Sequence, residues 1–176
     1  METEIEEMAR NCGFTHTGGL KAETLRVRPE VRDACAADKC KSYGRNWSCP
    51  PACGSLDECK ERLSRYKNGL ILQTCGALED SLDYEGMLEI GRDHGKNLKT
   101  FQAKVKELLP DCLLLGSGAC KNCETCTCPA EPCRFPGKMI VSMEAMGLVV
   151  SDVCRDNGLP YYYGTNTLTY VGCVLF

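Results

Sequence analysis

The clustering of cysteine is the feature that most constrains this chain. Fifteen cysteines occur among 176 residues, and ten of them fall into two short runs. The first run contains Cys35, Cys40, Cys49, Cys53 and Cys59, and the second contains Cys120, Cys123, Cys126, Cys128 and Cys133. Thiolates this close in sequence can converge on one metal centre, whereas disulfide partners usually lie farther apart. The pattern therefore predicts two centres that are held by cysteine sulfur.

The amino terminus and the lack of a long apolar run indicate a cytoplasmic setting for these thiols. The first ten residues are acidic and lack the basic and apolar regions of a signal peptide. No apolar run approaches the ~20 residues of a membrane span. In the cytoplasm thiols stay reduced, so a dense cysteine pattern favours metal or redox chemistry. The net charge of −3 predicts neither a nucleic acid nor a membrane partner.

Alternating strand and helix patterns predict an α/β fold. We expect a single domain over residues 1–176, with helices packed on a small mixed sheet and two cysteine-rich loops that bind clusters. Helices are predicted at residues 3–11, 55–66, 84–109, 142–146 and 149–157, and strands at 14–20, 69–75, 112–116 and 167–176. Gly91 and Gly95 are possible interruptions of the long helix. The segment between the two runs forms a crossover, which predicts that the two loops face each other at one edge of the sheet.

The spacing of the second run favours an iron–sulfur cluster over zinc. Cys120, Cys123 and Cys126 recur every third residue, as in the loops that hold a [4Fe-4S] cluster in bacterial ferredoxins. Structural zinc sites usually show separated cysteine pairs, and zinc remains the alternative metal. The fourth ligand departs from the ferredoxin pattern because six residues separate Cys126 from Cys133. Cys128 could replace either of those two cysteines.

The first run is looser, and its context favours a second cluster. Its spacing is Cys35-x4-Cys40-x8-Cys49-x3-Cys53. Trp47 is the only tryptophan and can shield a centre from water, although it could equally be a plain core residue beside Cys49. Cys59 is a spare ligand candidate on a helix face. Arg26, Arg28 and Arg32 are interpreted as a solvated helix face near this run.

Few residues outside the two runs are candidates for metal binding or catalysis. Cys75, Cys112 and Cys173 lie in apolar strands, where free cysteine behaves as a small hydrophobe. His16 and His94 have no histidine neighbour at ligand spacing, so both are predicted to be structural. The sequence 116–118 (Gly-Ser-Gly) follows a strand and is weakly similar to a phosphate loop, but we interpret its glycines as turn residues.

The chain resembles a cysteine-rich family of bacterial and archaeal predicted metal-binding proteins. Four motifs carry the resemblance: Cys35-x4-Cys40, Tyr43-Gly44-x2-Trp47-x-Cys49-Pro50-Pro51, Gly118-x-Cys120-x2-Cys123-x2-Cys126, and Pro132-Cys133-Arg134-x-Pro136 followed by Ser142-Met-Glu144-Ala-x-Gly147. The resemblance implies metal binding of the iron–sulfur kind and no particular reaction. The ligands that it implies are Cys35, Cys40, Cys49, Cys53, Cys120, Cys123, Cys126 and Cys133.

Three functions compete at this stage. The first is electron transfer or redox support of a partner protein through two [4Fe-4S] clusters. The second is an enzyme whose open cluster iron acts as a Lewis acid or reductant on a small-molecule substrate. Glu144 and Arg134 are candidates to serve it, although Glu144 could instead be an acid in the first turn of a helix. The third is a zinc-stabilised interaction module without catalysis.

Overall fold

Five strands form one mixed sheet in the computed structural model, which describes residues 1–176. The strands are β1 (His16–Lys21), β2 (Asn68–Ala77), β3 (Leu113–Gly116), β4 (Val141–Ser142) and β5 (Thr167–Leu175). Their order across the sheet is β1-β2-β5-β3-β4. All neighbours are antiparallel except β3 and β4, which are parallel. The last strand of the chain therefore occupies the centre of the sheet.

Five α-helices cover the two faces of this sheet. They are α1 (Glu2–Asn11), α2 (Pro29–Ala36), α3 (Leu56–Ser64), α4 (Tyr84–Leu108) and α5 (Val150–Asp156). Short 3-10 turns occur at Ala22–Thr24 and Pro136–Lys138. The predicted single α/β domain, with helices on a mixed sheet, is confirmed. No helix combines the length and the apolar character that crossing a membrane requires.

Side-chain alternation along the strands creates a core on each face. In β2, Leu70 and Leu72 join the core with α1 and α4, whereas Ile71 joins the core with α3 and α5. Successive side chains of a strand point to opposite faces, so an unbroken apolar strand serves both cores. The second core also contains Met143, Ala145, Met146, Leu148 and the thiols of Cys53 and Cys59, which anchors the first cysteine run to the sheet.

The long helix α4 runs without a break through Gly91 and Gly95. A glycine costs a helix only about 1 kcal/mol, and the buried stripe that includes Leu98, Phe101 and Val105 offsets that cost by packing on the sheet. Leu98 sits directly above Gly172 in β5. A Cβ atom at Gly172 would lie 3.1 Å from Leu98 Cδ2 and 2.6 Å from the Leu115 carbonyl oxygen, so a glycine is required there.

The prediction of a helix at residues 142–146 is wrong. Val141 and Ser142 instead form β4, and a turn follows. The Ser142 hydroxyl accepts a hydrogen bond from the Ala145 N–H at 3.0 Å, as a helix cap would. Gly147 then adopts a φ of +81°, which ends the turn before a helix can propagate. A two-residue strand such as β4 is too short to leave a periodic pattern in the sequence.

Candidate metal centre

The two cysteine loops lie against each other at one end of the sheet. The first loop connects α2 to α3, and the second leads from β3 to the 3-10 turn at Pro136–Lys138. Asn46 Nδ2 donates to the Cys120 carbonyl oxygen at 2.9 Å. Trp47 Nε1 donates to the Glu131 carbonyl oxygen at 3.0 Å, across the same interface. These contacts bring the loops together, as expected from the crossover between them.

Ser48 is the buried centre of that interface. Its side chain is fully buried, and its hydroxyl accepts a hydrogen bond from the Cys120 N–H at 2.8 Å. The same hydroxyl lies 2.9 Å from Asn46 Oδ1, to which it donates. The Ser48 N–H also donates to Asn46 Oδ1, at 3.0 Å. Asn46 and Ser48 therefore bind both backbone polar groups of Cys120, and they fix the start of the second run against the first.

The four predicted ligands of the first run lie in one electrostatic neighbourhood. Cys35 ends α2, and Cys49 and Cys53 share a turn in which the Cys53 N–H donates to the Cys49 carbonyl oxygen at 3.0 Å. The pKa of the Cys49 thiol is raised to about 11, chiefly by burial and also by charge repulsion from the thiols of Cys40, Cys53 and Cys35. A side-chain hydrogen bond with Ser48 partly opposes this rise in pKa. A cation bound among them would remove this repulsion.

Arg32 contacts the sulfur atoms at the edge of this set. Its Nη2 lies 3.2 Å from Cys59 Sγ and 3.7 Å from Cys53 Sγ. The guanidinium is held in place by the carbonyl oxygens of Gly54 at 2.8 Å and Ala145 at 2.7 Å. Burial raises the pKa of Cys53, while the Arg32 charge lowers it. The guanidinium is thus a fixed positive charge beside the first set of thiols.

The interpretation of the three arginines as a solvated helix face is wrong, because Arg26 and Arg28 precede α2 and Arg32 is partly buried against sulfur atoms. Arg28 forms an ion pair with Asp152 at 3.0 Å, and only Arg26 is exposed without such a contact. The position of Arg32 could have been inferred, because it precedes Cys35 by three residues on α2. Residues at that spacing lie on the same side of a helix.

The four predicted ligands of the second run line one small cavity. The thiol-bearing residues of its wall are Cys120, Cys123, Cys126 and Cys133. Trp47 from the first loop also lines it. Burial raises the pKa of the Cys120 thiol, the Asn122 backbone N–H lowers it by hydrogen bonding, and the thiols of Cys133, Cys123 and Cys126 raise it.

Cys128 is not part of that cavity wall. Its side chain is buried, and its Sγ lies 3.8 Å from the carbonyl oxygen of Gly44 in the first loop. Cys128 therefore belongs to the contact between the loops. This position favours the set that contains Cys126 and Cys133, which the spacing alone left open.

Glu144 and Arg134 differ in their availability for chemistry. Glu144 lies in the turn after β4, so the alternative of an acid in the first turn of a helix is wrong. Its Oε2 is buried without a hydrogen-bond partner, and burial raises its pKa. Its charge raises the pKa of Cys35, which shows that it lies near the first set. Arg134 lines the second cavity, and its Nη1 donates to the Thr125 carbonyl oxygen at 2.9 Å.

The donor sets fit a metal in the type and number of their ligands, although their side chains do not lie at coordination distances from one another. All fifteen cysteines are free. No group of three or more histidine, cysteine, aspartate or glutamate side chains is drawn in to metal-binding distances. Each loop offers four thiols, and four thiols suit zinc or an iron–sulfur cluster. His94 is buried between Phe14 and Tyr170, with its Nδ1 2.9 Å from Thr74 Oγ1, which is a structural role.

Replacing Ser48 with alanine is expected to destabilise the protein. The change leaves the half-buried Cys120 N–H without its acceptor, which costs roughly 1–3 kcal/mol in the free energy of unfolding. Urea denaturation of samples with equal metal content measures this. Ser42→Ala is the matched control, because the Ser42 hydroxyl donates only to the Cys40 carbonyl oxygen within its own loop, at 3.3 Å. Equal stability of the two variants would contradict the role of Ser48.

Comparison with known protein families identifies the chain. A family model described as "Predicted metal-binding protein (DUF2284)" matches residues 19–176, which include both cysteine runs and the whole sheet except the first three residues of β1. No curated protein and no solved structure matches the chain significantly. Because the match covers nearly the whole sequence, the protein belongs to the DUF2284 family of predicted metal-binding proteins.

Proposed function

We propose that the protein binds two [4Fe-4S] clusters and passes electrons to a redox partner protein in the cytoplasm. The observation that carries the proposal is the cavity lined by Cys120, Cys123, Cys126 and Cys133. A cluster of this type takes four cysteine ligands. The first cluster would be held by Cys35, Cys40, Cys49 and Cys53, whose thiols act on one another electrostatically.

The proximity of the two sets supports electron transfer. Cys49 directly follows Ser48, and the Ser48 hydroxyl binds the Cys120 N–H at 2.8 Å. The residue that precedes Cys49 in the first set is therefore joined to Cys120 of the second set by one hydrogen bond from the Cys120 N–H to its side chain. When bound, the clusters would supply one-electron redox chemistry.

The surface of the second loop supports access for a partner protein. Residues 129–132 are exposed, and they lie between Cys126 and Cys133. Trp47 packs on this segment through its bond to the Glu131 carbonyl oxygen, so the loop is held in one conformation while its outer side faces solvent. A partner that docks here would approach the second set most closely.

Iron and sulfide analysis with cysteine variants tests the proposal. After anaerobic reconstitution the protein is expected to hold about eight iron atoms per chain. Cys123→Ser is expected to lower this by about four, because it removes one ligand of the second cluster. Cys128→Ser is the matched control and should keep the full content, since Cys128 lies outside the cavity wall. Binding of zinc without uptake of iron would refute the cluster and favour the zinc-stabilised interaction module.

Replacing Arg32 is expected to lower the reduction potential of the first centre. Arg32→Gln removes a positive charge and hydrogen-bond donors beside the Cys53 and Cys59 sulfur atoms, and such donors raise cluster potentials. A potentiometric titration followed by electron paramagnetic resonance measures the shift at matched iron content. Arg32→Lys should recover part of the potential, and Arg26→Gln should leave it unchanged. Equal potentials in the wild type and Arg32→Gln would contradict the role of Arg32.

A specific observation also favours an enzymatic alternative. Glu144 has a buried, unpartnered oxygen and lines a surface cavity together with Tyr161 and Val31, near the first set. In an enzyme with an open iron site, this carboxyl would position a small-molecule substrate or transfer a proton to it.

The Glu144→Gln variant separates the two functions. If the protein only carries electrons, the variant is expected to keep its iron content, because the amide preserves the shape of the side chain. Its first centre should show at most a small positive shift in reduction potential, because a negative charge near that centre is removed. Both quantities are measured on the reconstituted protein. A spectral change of the first centre on addition of small oxygen or sulfur ligands, present in the wild type and lost in Glu144→Gln, would favour the enzyme instead.

A further inference from the structure

A second cavity adjoins the second cysteine set and is built differently. It has a volume of about 460 Å³ and lies between α4 and the loop that follows β3. It shares Cys120 and Asn122 with the wall of the thiol cavity, so the two are neighbours. Its size is within the range of small-molecule sites.

The charge of this cavity is uniformly positive. Five of its sixteen lining residues are basic and none is acidic; the basic residues are Arg92, Lys96, Lys99, Lys121 and Lys138. None of these five side chains takes part in an ion pair of the protein. The whole chain carries a net charge of −3, so this local excess runs against the overall balance. A concave surface of one sign raises the local concentration of the opposite ion.

The arrangement of the cations on α4 is slightly unfavourable when no anion is bound. Arg92, Lys96 and Lys99 lie on one side of α4 at spacings of four and three residues. Like charges at these spacings destabilise a helix. Lys121 approaches from the cysteine loop, where its carbonyl oxygen accepts a hydrogen bond from Lys99 Nζ at 3.4 Å. A bound anion would relieve the repulsion among these groups.

The loop after β3 adds unpaired backbone donors. The N–H groups of Ser117, Gly118 and Ala119 have no acceptor within the protein, and all three residues line the cavity. Gly118 adopts a φ of +70°, a turn conformation that L side chains rarely take. Successive free N–H groups in such a turn form a concavity that suits an anion. The interpretation of this sequence as turn glycines alone is therefore incomplete.

The opposite wall is opened by the missing side chain of Gly95. Gly91 also lines the cavity one turn earlier on α4, but a Cβ atom there would lie 3.0 Å from the Tyr170 ring. A Cβ atom added at Gly95 would meet nothing within 4 Å, so the space in front of it is empty. Asn122 Nδ2 donates to the Lys138 carbonyl oxygen at 2.8 Å, which ties the remaining two walls together.

We propose that this cavity binds a small molecule that carries a phosphate group. The N–H groups of residues 117–119 and the five cations would hold the phosphate, since charge-assisted hydrogen bonds from several donors are what phosphate recognition requires. The glycine-lined side of α4 would leave room for the uncharged part of the molecule. The site adjoins the second cysteine set through Cys120, which lines both cavities, so the phosphate compound would lie beside a predicted metal ligand.

Isothermal titration of the purified full-length protein tests the proposal. The probes are inorganic phosphate, ribose 5-phosphate and ribose. Both phosphate compounds are expected to bind and ribose is not. Lys96→Gln combined with Lys121→Gln is expected to raise Kd by about tenfold or more. Neither lysine side chain makes a hydrogen bond or an ion pair within the protein, so the variant loses no internal contact. Lys67→Gln combined with Lys104→Gln changes the net charge equally outside the cavity and should leave Kd within about twofold.

Gly95→Leu provides a test that does not depend on charge. Leucine favours a helix more than glycine does, and nothing lies within 4 Å of the new Cβ, so the melting temperature should not fall. The side chain fills the space of the ligand, and binding of both phosphate compounds should be lost. Three outcomes would overturn the proposal: no binding of either compound, equal weakening by the control pair, or unchanged binding in Gly95→Leu. Binding of an RNA oligonucleotide without either compound would overturn it as well.

Discussion

A buried serine hydroxyl joins the two cysteine loops, and the geometry of both sets follows from it. Ser48 binds the Cys120 N–H and is itself oriented by Asn46. Buried backbone groups must find a partner, and here the partner of one cysteine loop is supplied by the other. Neither loop has much regular structure of its own between its cysteines. Each loop is therefore shaped by the other as well as by any metal.

The sheet explains why two distant parts of the chain meet in this way. The central strands β5 and β2 fix the frame, and β3 pairs with β5 so that it ends beside the α2–α3 loop. The second run begins four residues after β3 ends, while the thiols of Cys53 and Cys59 are part of the core under the same sheet. The loops are irregular, but the elements that flank them are rigid. Functional residues on loops are commonly positioned by such a scaffold.

The elements that have long periodic patterns can be predicted from the sequence, and so can the ligand candidates that recur at regular spacing. The helix over residues 84–109 and the strand at 167–176 leave clear apolar repeats, and Cys120, Cys123 and Cys126 identify their own loop. The segment after Ser142 has the pattern of a helix start, because Ser142 makes the local hydrogen bond of a helix cap. Gly147, with its positive φ, ends the turn before a helix forms.

The long-range partner of Arg32 and the role of Cys128 could not be predicted from local patterns. The Arg32 guanidinium is fixed by the carbonyl oxygen of Ala145, more than one hundred residues away in sequence. The Cys128 Sγ instead contacts the carbonyl oxygen of Gly44 in the other loop. The first contact depends on how the turn after β4 packs on α2, and the second depends on how the two loops pack. Spacing within one loop carries no information about that packing, and this is why the fourth ligand of the second set stayed open.

The glycine at position 172 has a consequence for the basic cavity, although it is not part of the cavity wall. Leu98 of α4 lies in both the core and the cavity wall, and it rests on the bare backbone of β5 at Gly172. Any larger residue at that position would collide with the Leu115 carbonyl oxygen and with Leu98, and it would lift the helix from the sheet. The distance between helix and sheet sets the depth of the cavity floor. The missing side chain of Gly172 in the middle of the sheet thus affects how deep the cavity beside the cysteines is.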